Sequence, residues 1–131
     1  MIQFVPISAA YAGVLALVLI ALSWRVVIMR RRFKVGMGDE GHEPLGCAIR
    51  SHANFTEYVP ICLILIVLLE LNGATETVLH VLGSTLVVAR VIHAWGLGKN
   101  KGLSFGRYYG TAATWGVLLV GAVLNLYVAF Y

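Results

Sequence analysis

Arg50, Asn54, Glu57 and Tyr58 lie within one short stretch of an otherwise apolar chain, and Arg90, His93 and Arg107 follow further along. A guanidinium, an amide, a carboxylate and a phenol together suit a small zwitterion. Arginines grip carboxylates, Glu57 accepts from an ammonium, and Asn54 does either. At 100° per residue, Arg50, Asn54 and Glu57 fall within about 60° on one helical face, with Tyr58 alongside. His52 is counted with these candidate binding residues although it projects largely the other way. Arg90 and His93 share a face of a later helix. The same spacing equally serves a second role, in which Arg50 and Glu57 neutralise each other or pair with Arg90 as interhelical contacts.

The elements that position these residues follow from composition. Of the 131 residues 60% are apolar and 12% are charged, against roughly 25% charged in a soluble domain. The mean hydropathy is +0.84. A helix needs about 20 apolar residues to cross the hydrocarbon core, so four crossings with short connections use nearly the whole length. The expectation is a single all-α membrane domain over residues 1–131, a bundle of four transmembrane helices. Helix one is read from Phe4 to Met29, with Pro6 in its first turn, where a missing N–H costs little. The segment from Gly36 to Pro44 is rich in turn formers and reads as a loop. Helix two follows from about Leu45 to Leu71. Asn72 and Gly73 signal a turn, and helix three is placed from about Thr77 to Leu97. Gly96 and Gly98 to Gly102 make a further loop, and helix four begins near Ser104 to Gly106 and reaches Tyr131. Its Gly106, Gly110, Ala112, Ala113, Gly116 and Gly121 offer small surfaces for close packing. Pro60 leaves the Thr56 carbonyl without its usual partner beside Glu57, and a kink there is expected to open a pocket.

Charge orients the bundle. Arg25, Arg30, Arg31, Arg32 and Lys34 follow the first apolar run, Lys99, Lys101 and Arg107 separate the third and fourth, and the connection from Glu70 to Glu76 has no Lys or Arg. By the positive-inside rule the basic loops are cytoplasmic, and both termini lie outside. No basic stripe alternates with aromatics, so nucleic acid is not an expected partner. The first run lacks a basic flank before it and a small-residue cleavage site after it, and reads as a retained helix. Glu57 then sits roughly 20 Å along helix two from Pro44, near mid-membrane. A charge at that depth is costly unless it is paired or faces a wet cavity, which makes the polar residues of helices two and three functional candidates.

Other polar residues read as ordinary. His80 is an interfacial residue, and His42 with Glu40 and Glu43 is a solvated loop lacking a zinc spacing. The arginine run from 30 to 32 is a topology anchor on anionic lipid. Cys47 and Cys62, fifteen apart on one helix, are separated by roughly 22 Å and cannot pair.

The run Arg50, Ser51, His52, Ala53, Asn54, Phe55, Thr56, Glu57, Tyr58, Val59, Pro60 resembles the second-helix signature of the MAPEG family, the membrane-associated proteins of eicosanoid and glutathione metabolism. The run from Arg30 to Val35, Ala89 and Arg90 with His93, and Arg107 opening helix four are further points of similarity. The resemblance implies a homotrimer binding glutathione between subunits near the cytosolic side. It implies that Arg50, Asn54, Glu57 and Tyr58 hold the glutathione backbone, that Arg30 and Arg90 serve its carboxylates or the site's structure, and that Arg107 stabilises the thiolate. A cation near a thiol raises its nucleophilic fraction. Where several eukaryotic synthases carry two tyrosines four apart, this chain has His93 and Leu97. His93 stands there as a replacement hydrogen-bond donor.

The function expected is that of a glutathione-dependent membrane transferase or peroxidase acting on a lipophilic electrophile from the bilayer, sited in the inner membrane if the source is bacterial. Two alternatives stay beside it, a small proton-coupled multidrug-type exporter and a non-catalytic membrane scaffold. Exporters of that kind carry their glutamate in helix one, which here holds no charge before Arg25.

Overall fold

The structure, a computed structural model, describes residues 4–97, without the side chain of Leu97, and residues 104–131. Four helices account for it: α1 (Pro6–Phe33), α2 (Glu43–Leu71), α3 (Glu76–Leu97) and α4 (Phe105–Phe130). All four are long and apolar enough to cross a membrane. The chain is a multi-pass integral membrane protein of the all-α, four-helix class. The expected loop at 98–102 lies outside the described residues.

Two helix ends differ from expectation. Helix α1 continues past Met29 through Arg30, Arg31 and Arg32 and stops at Lys34, which adopts the left-handed region at φ 56°. Arginine is a good helix former, and cations in a last turn meet the partial negative charge of the helix C-terminus, so the basic run extends the helix that it was expected to end. The Arg30 guanidinium closes the following loop by donating to the Gly38 carbonyl at 2.9 Å. Helix α2 starts at Glu43, with Pro44 in its first turn, the position where its missing N–H is harmless.

Leu15, Phe55, Val59, Cys62, Ile66, Leu69, Leu79, Leu82, Leu86 and Val117 form the core where the helices meet. Helix α2 packs on all three others, α3 packs most closely on α4, and α1 and α4 do not touch among the described residues. The α3–α4 contact is backbone to backbone. A Cβ on Gly106 would lie 2.6 Å from the Ile92 carbonyl oxygen, and one on Gly110 would lie 2.7 Å from that of Ala89. Small residues four apart thus bring the two axes together, as expected of membrane helices. Gly106, Gly110 and Gly121 face inward as buried positions, whereas Ala112 and Gly116 are exposed.

At the other end of the bundle α1 begins without a side-chain cap of its own. Glu70, one residue from the end of α2, supplies it, accepting from the backbone N–H of Ile7 at 2.9 Å and of Ser8 at 2.7 Å. The Ser8 hydroxyl donates to the same carboxylate. Tyr11 crosses onto α3, where its ring lies against Gly83 and its hydroxyl is 2.9 Å from His80 Nδ1.

Candidate functional site

Arg90 is the largest of the fully buried side chains, 1% exposed, and its surroundings are unusual for a cation inside a membrane bundle. One terminal nitrogen donates to Asn54 Oδ1 on α2 at 2.7 Å and lies 3.2 Å from His93 Nδ1 on α3. The other donates to Thr114 Oγ1 on α4 at 3.3 Å. The Phe55 ring lies 5.9 Å from the guanidinium carbon. The Arg90 Nε has no partner, and among the described residues no carboxylate forms an ion pair with Arg90; the ion pair found is that of Arg50 with Glu57. The Arg90 guanidinium therefore ties three helices together through neutral groups.

Two of those neutral groups, Asn54 and His93, also line an open recess of about 430 Å³. Arg107, Tyr108, Thr111 and Trp115 of α4 complete its wall. Arg107 reaches this place because α4 starts at an N-cap formed by Ser104, whose hydroxyl accepts from the Arg107 backbone N–H at 3.3 Å. The glycine contacts then hold this first turn against α3.

Arg50 and Glu57 face each other on α2, 3.7 Å apart, with 63% and 50% of their side chains exposed on the single chain. That distance is too long for a direct hydrogen bond, so both groups keep their capacity for other partners. An open guanidinium–carboxylate pair part-way along a spanning helix is costly against lipid. Tyr58 is half-buried on the same helix.

The structure thus brings Asn54, Arg90, His93 and Arg107 together and sets Arg50 and Glu57 side by side on the same helix as Asn54. It does not bring in Arg30, which is engaged in the α1–α2 loop. His52 points to α1, with Nε2 3.1 Å from the Ser23 hydroxyl. The space expected beside Pro60 is present, but as a groove of about 240 Å³ between α1 and α2 with an almost wholly apolar lining, distinct from the polar recess. Helix α2 runs unbroken through Pro60. Thr114 is the site residue that the sequence reading missed. Its spacing is the usable signal, because it continues the Gly106, Gly110 stripe by one further step of four.

The MAPEG family profile matches residues 8–127. The chain belongs to the MAPEG family. This MAPEG protein is similar to the inner membrane protein YecN of Escherichia coli K12, 38% identical over 121 residues that cover 92% of this chain and 91% of the relative. The YecN of Escherichia coli O6:H1 aligns with the same identity and coverage.

Proposed function

We propose that this MAPEG protein binds glutathione at the Asn54–His93–Arg107 recess and the adjoining Arg50–Glu57 pair, and uses it to conjugate or reduce a lipophilic electrophile entering from the bilayer. One observation carries the reading: on one side of the bundle, three helices present cations and amides around open space, next to a half-exposed carboxylate. Glutathione has two carboxylates, an ammonium, two amides and a thiol. Arg50 suits its carboxylates, Glu57 its ammonium, Asn54 its amides and Arg107 its sulfur when ionised. When bound, it would supply the nucleophilic sulfur, and the chain's part is to orient it and to hold a cation near that sulfur.

The exposure of Arg50 and Glu57 on a single chain supports assembly as a homotrimer, because a neighbouring copy would cover this pair from lipid and complete the site. The purified protein should gain thermal stability with glutathione, by about 2.7 kcal/mol at 100 times the dissociation constant. No shift at any soluble concentration of glutathione would refute the reading.

A further inference from the structure

We infer that Arg90, from behind the wall of the recess, turns Asn54 and His93 so that the recess offers hydrogen-bond donors and selects an anion. The inference rests on the proposed function only in identifying that anion as the sulfur end of glutathione.

A guanidinium donates and never accepts. The Asn54 atom facing Arg90 at 2.7 Å must therefore be the carbonyl oxygen, which leaves the NH₂ of this recess-lining residue as the group not engaged by Arg90. The same logic applies to His93. Its Nδ1, 3.2 Å from the Arg90 nitrogen, must accept, so the ring proton sits on Nε2 and the remaining edge of the imidazole is a donor. These assignments follow from the bonding partners, the basis on which amide orientation and histidine tautomer are fixed. Arg107 adds a cation that donates only, and the Trp115 indole N–H is likewise a donor without acceptor capacity. Tyr108 and Thr111 have hydroxyls that adjust to either role. Among the described residues no carboxylate lines the recess.

With their acceptors taken up by Arg90, Asn54 and His93 are left with donors, and Arg107 and Trp115 add side chains that can only donate. Such a surface fits a thiolate or a sulfonate and repels a cation. Arg90 does this without touching the ligand, and is a positioning residue acting through Asn54 and His93. Its role also accounts for a buried arginine that forms no ion pair among the described residues.

The test is a side-chain ¹⁵N NMR spectrum of the detergent-purified protein without ligand, with the His93 signals assigned through His93→Gln. The expected spectrum has a protonated Nε2 and an unprotonated Nδ1. The opposite tautomer, or a doubly protonated ring, would overturn the inference. Calorimetry then compares glutathione sulfonate with S-methylglutathione. The sulfonate should bind at least tenfold more tightly, and in Arg90→Met this preference should disappear. Equal affinities in the wild type would overturn the anion selectivity and leave glutathione binding intact. If neither compound binds, it is the proposed function that fails, and the tautomer spectrum still decides the role of Arg90. If Arg90→Met does not fold, the wild-type spectrum and affinity ratio remain decisive.

Discussion

In the proposed function, Glu57 and Arg107 divide the work at the residue scale. Glu57 is half-exposed beside Arg50 and is available to an ammonium. Glu57→Gln should leave the assembly unchanged on size exclusion and weaken glutathione binding in calorimetry by roughly 1 to 3 kcal/mol, the range for a hydrogen bond to a charged group. Loss of assembly with unchanged affinity would return Glu57 to a structural role. Arg107 is on another helix and lines the recess with His93, so binding and thiol activation are separable. Arg107→Ala should keep most of the affinity but reduce the ultraviolet thiolate absorbance seen as glutathione is titrated at neutral pH, and lower kcat rather than raise KM. An undiminished thiolate signal would remove Arg107 from that role. The face shared by Arg50, Asn54 and Glu57 was legible in the sequence because one helical period fixes it. The partners of Arg90 were not, since Thr114 carries no charge to mark it and its meeting with Arg90 depends on the register between α3 and α4. His52 was misleading for a related reason: its angle showed that it points away from Asn54, but only the crossing of α1 over α2 supplies Ser23.

Among the elements, α1 is held differently at its two ends. Its first turn leaves N–H groups that no side chain of its own satisfies, and Glu70 takes two of them across the outer end of the bundle. Glu70→Ala should therefore lower stability by about 1 to 2 kcal/mol, the scale of a lost N-cap, measured by denaturation in detergent. Glutathione affinity should be unaffected, because Glu70 is not among the residues that line the recess. A variant as stable as the wild type would show that the cap is redundant. The number of helices and the positions of their apolar spans could be read from hydropathy. The C-terminal end of α1 could not, because arginines that anchor a helix at the membrane surface are also good helix formers. The inter-element cap was invisible for a different reason, since Glu70 and Ser8 are 62 positions apart.

For the whole molecule, the charge pattern fixes an orientation that can be tested. Cysteine placed at Met37, which is 87% exposed in the α1–α2 loop, should react with a membrane-impermeant maleimide only from the cytosolic side. Cysteine at Asn72, in the exposed α2–α3 turn, should react from the outside. Cys47 and Cys62 are buried and should contribute little background. A reversed pattern would place the recess at the opposite surface. Native mass spectrometry should give three copies. A wild-type monomer carrying glutathione would exclude the shared site.

The close approach of α3 and α4 has a bearing on how such a site drifts over generations. Gly106 sits next to Arg107 in sequence and against the Ile92 carbonyl in space, so any side chain acquired there acts as a shim between two rods. The rods would part at the end where Arg107 stands, and the mouth of the recess would widen although no residue in it had changed. Natural variants with a reshaped recess should therefore be sought at Gly96, Gly106 and Gly110, none of which is among the residues that line it.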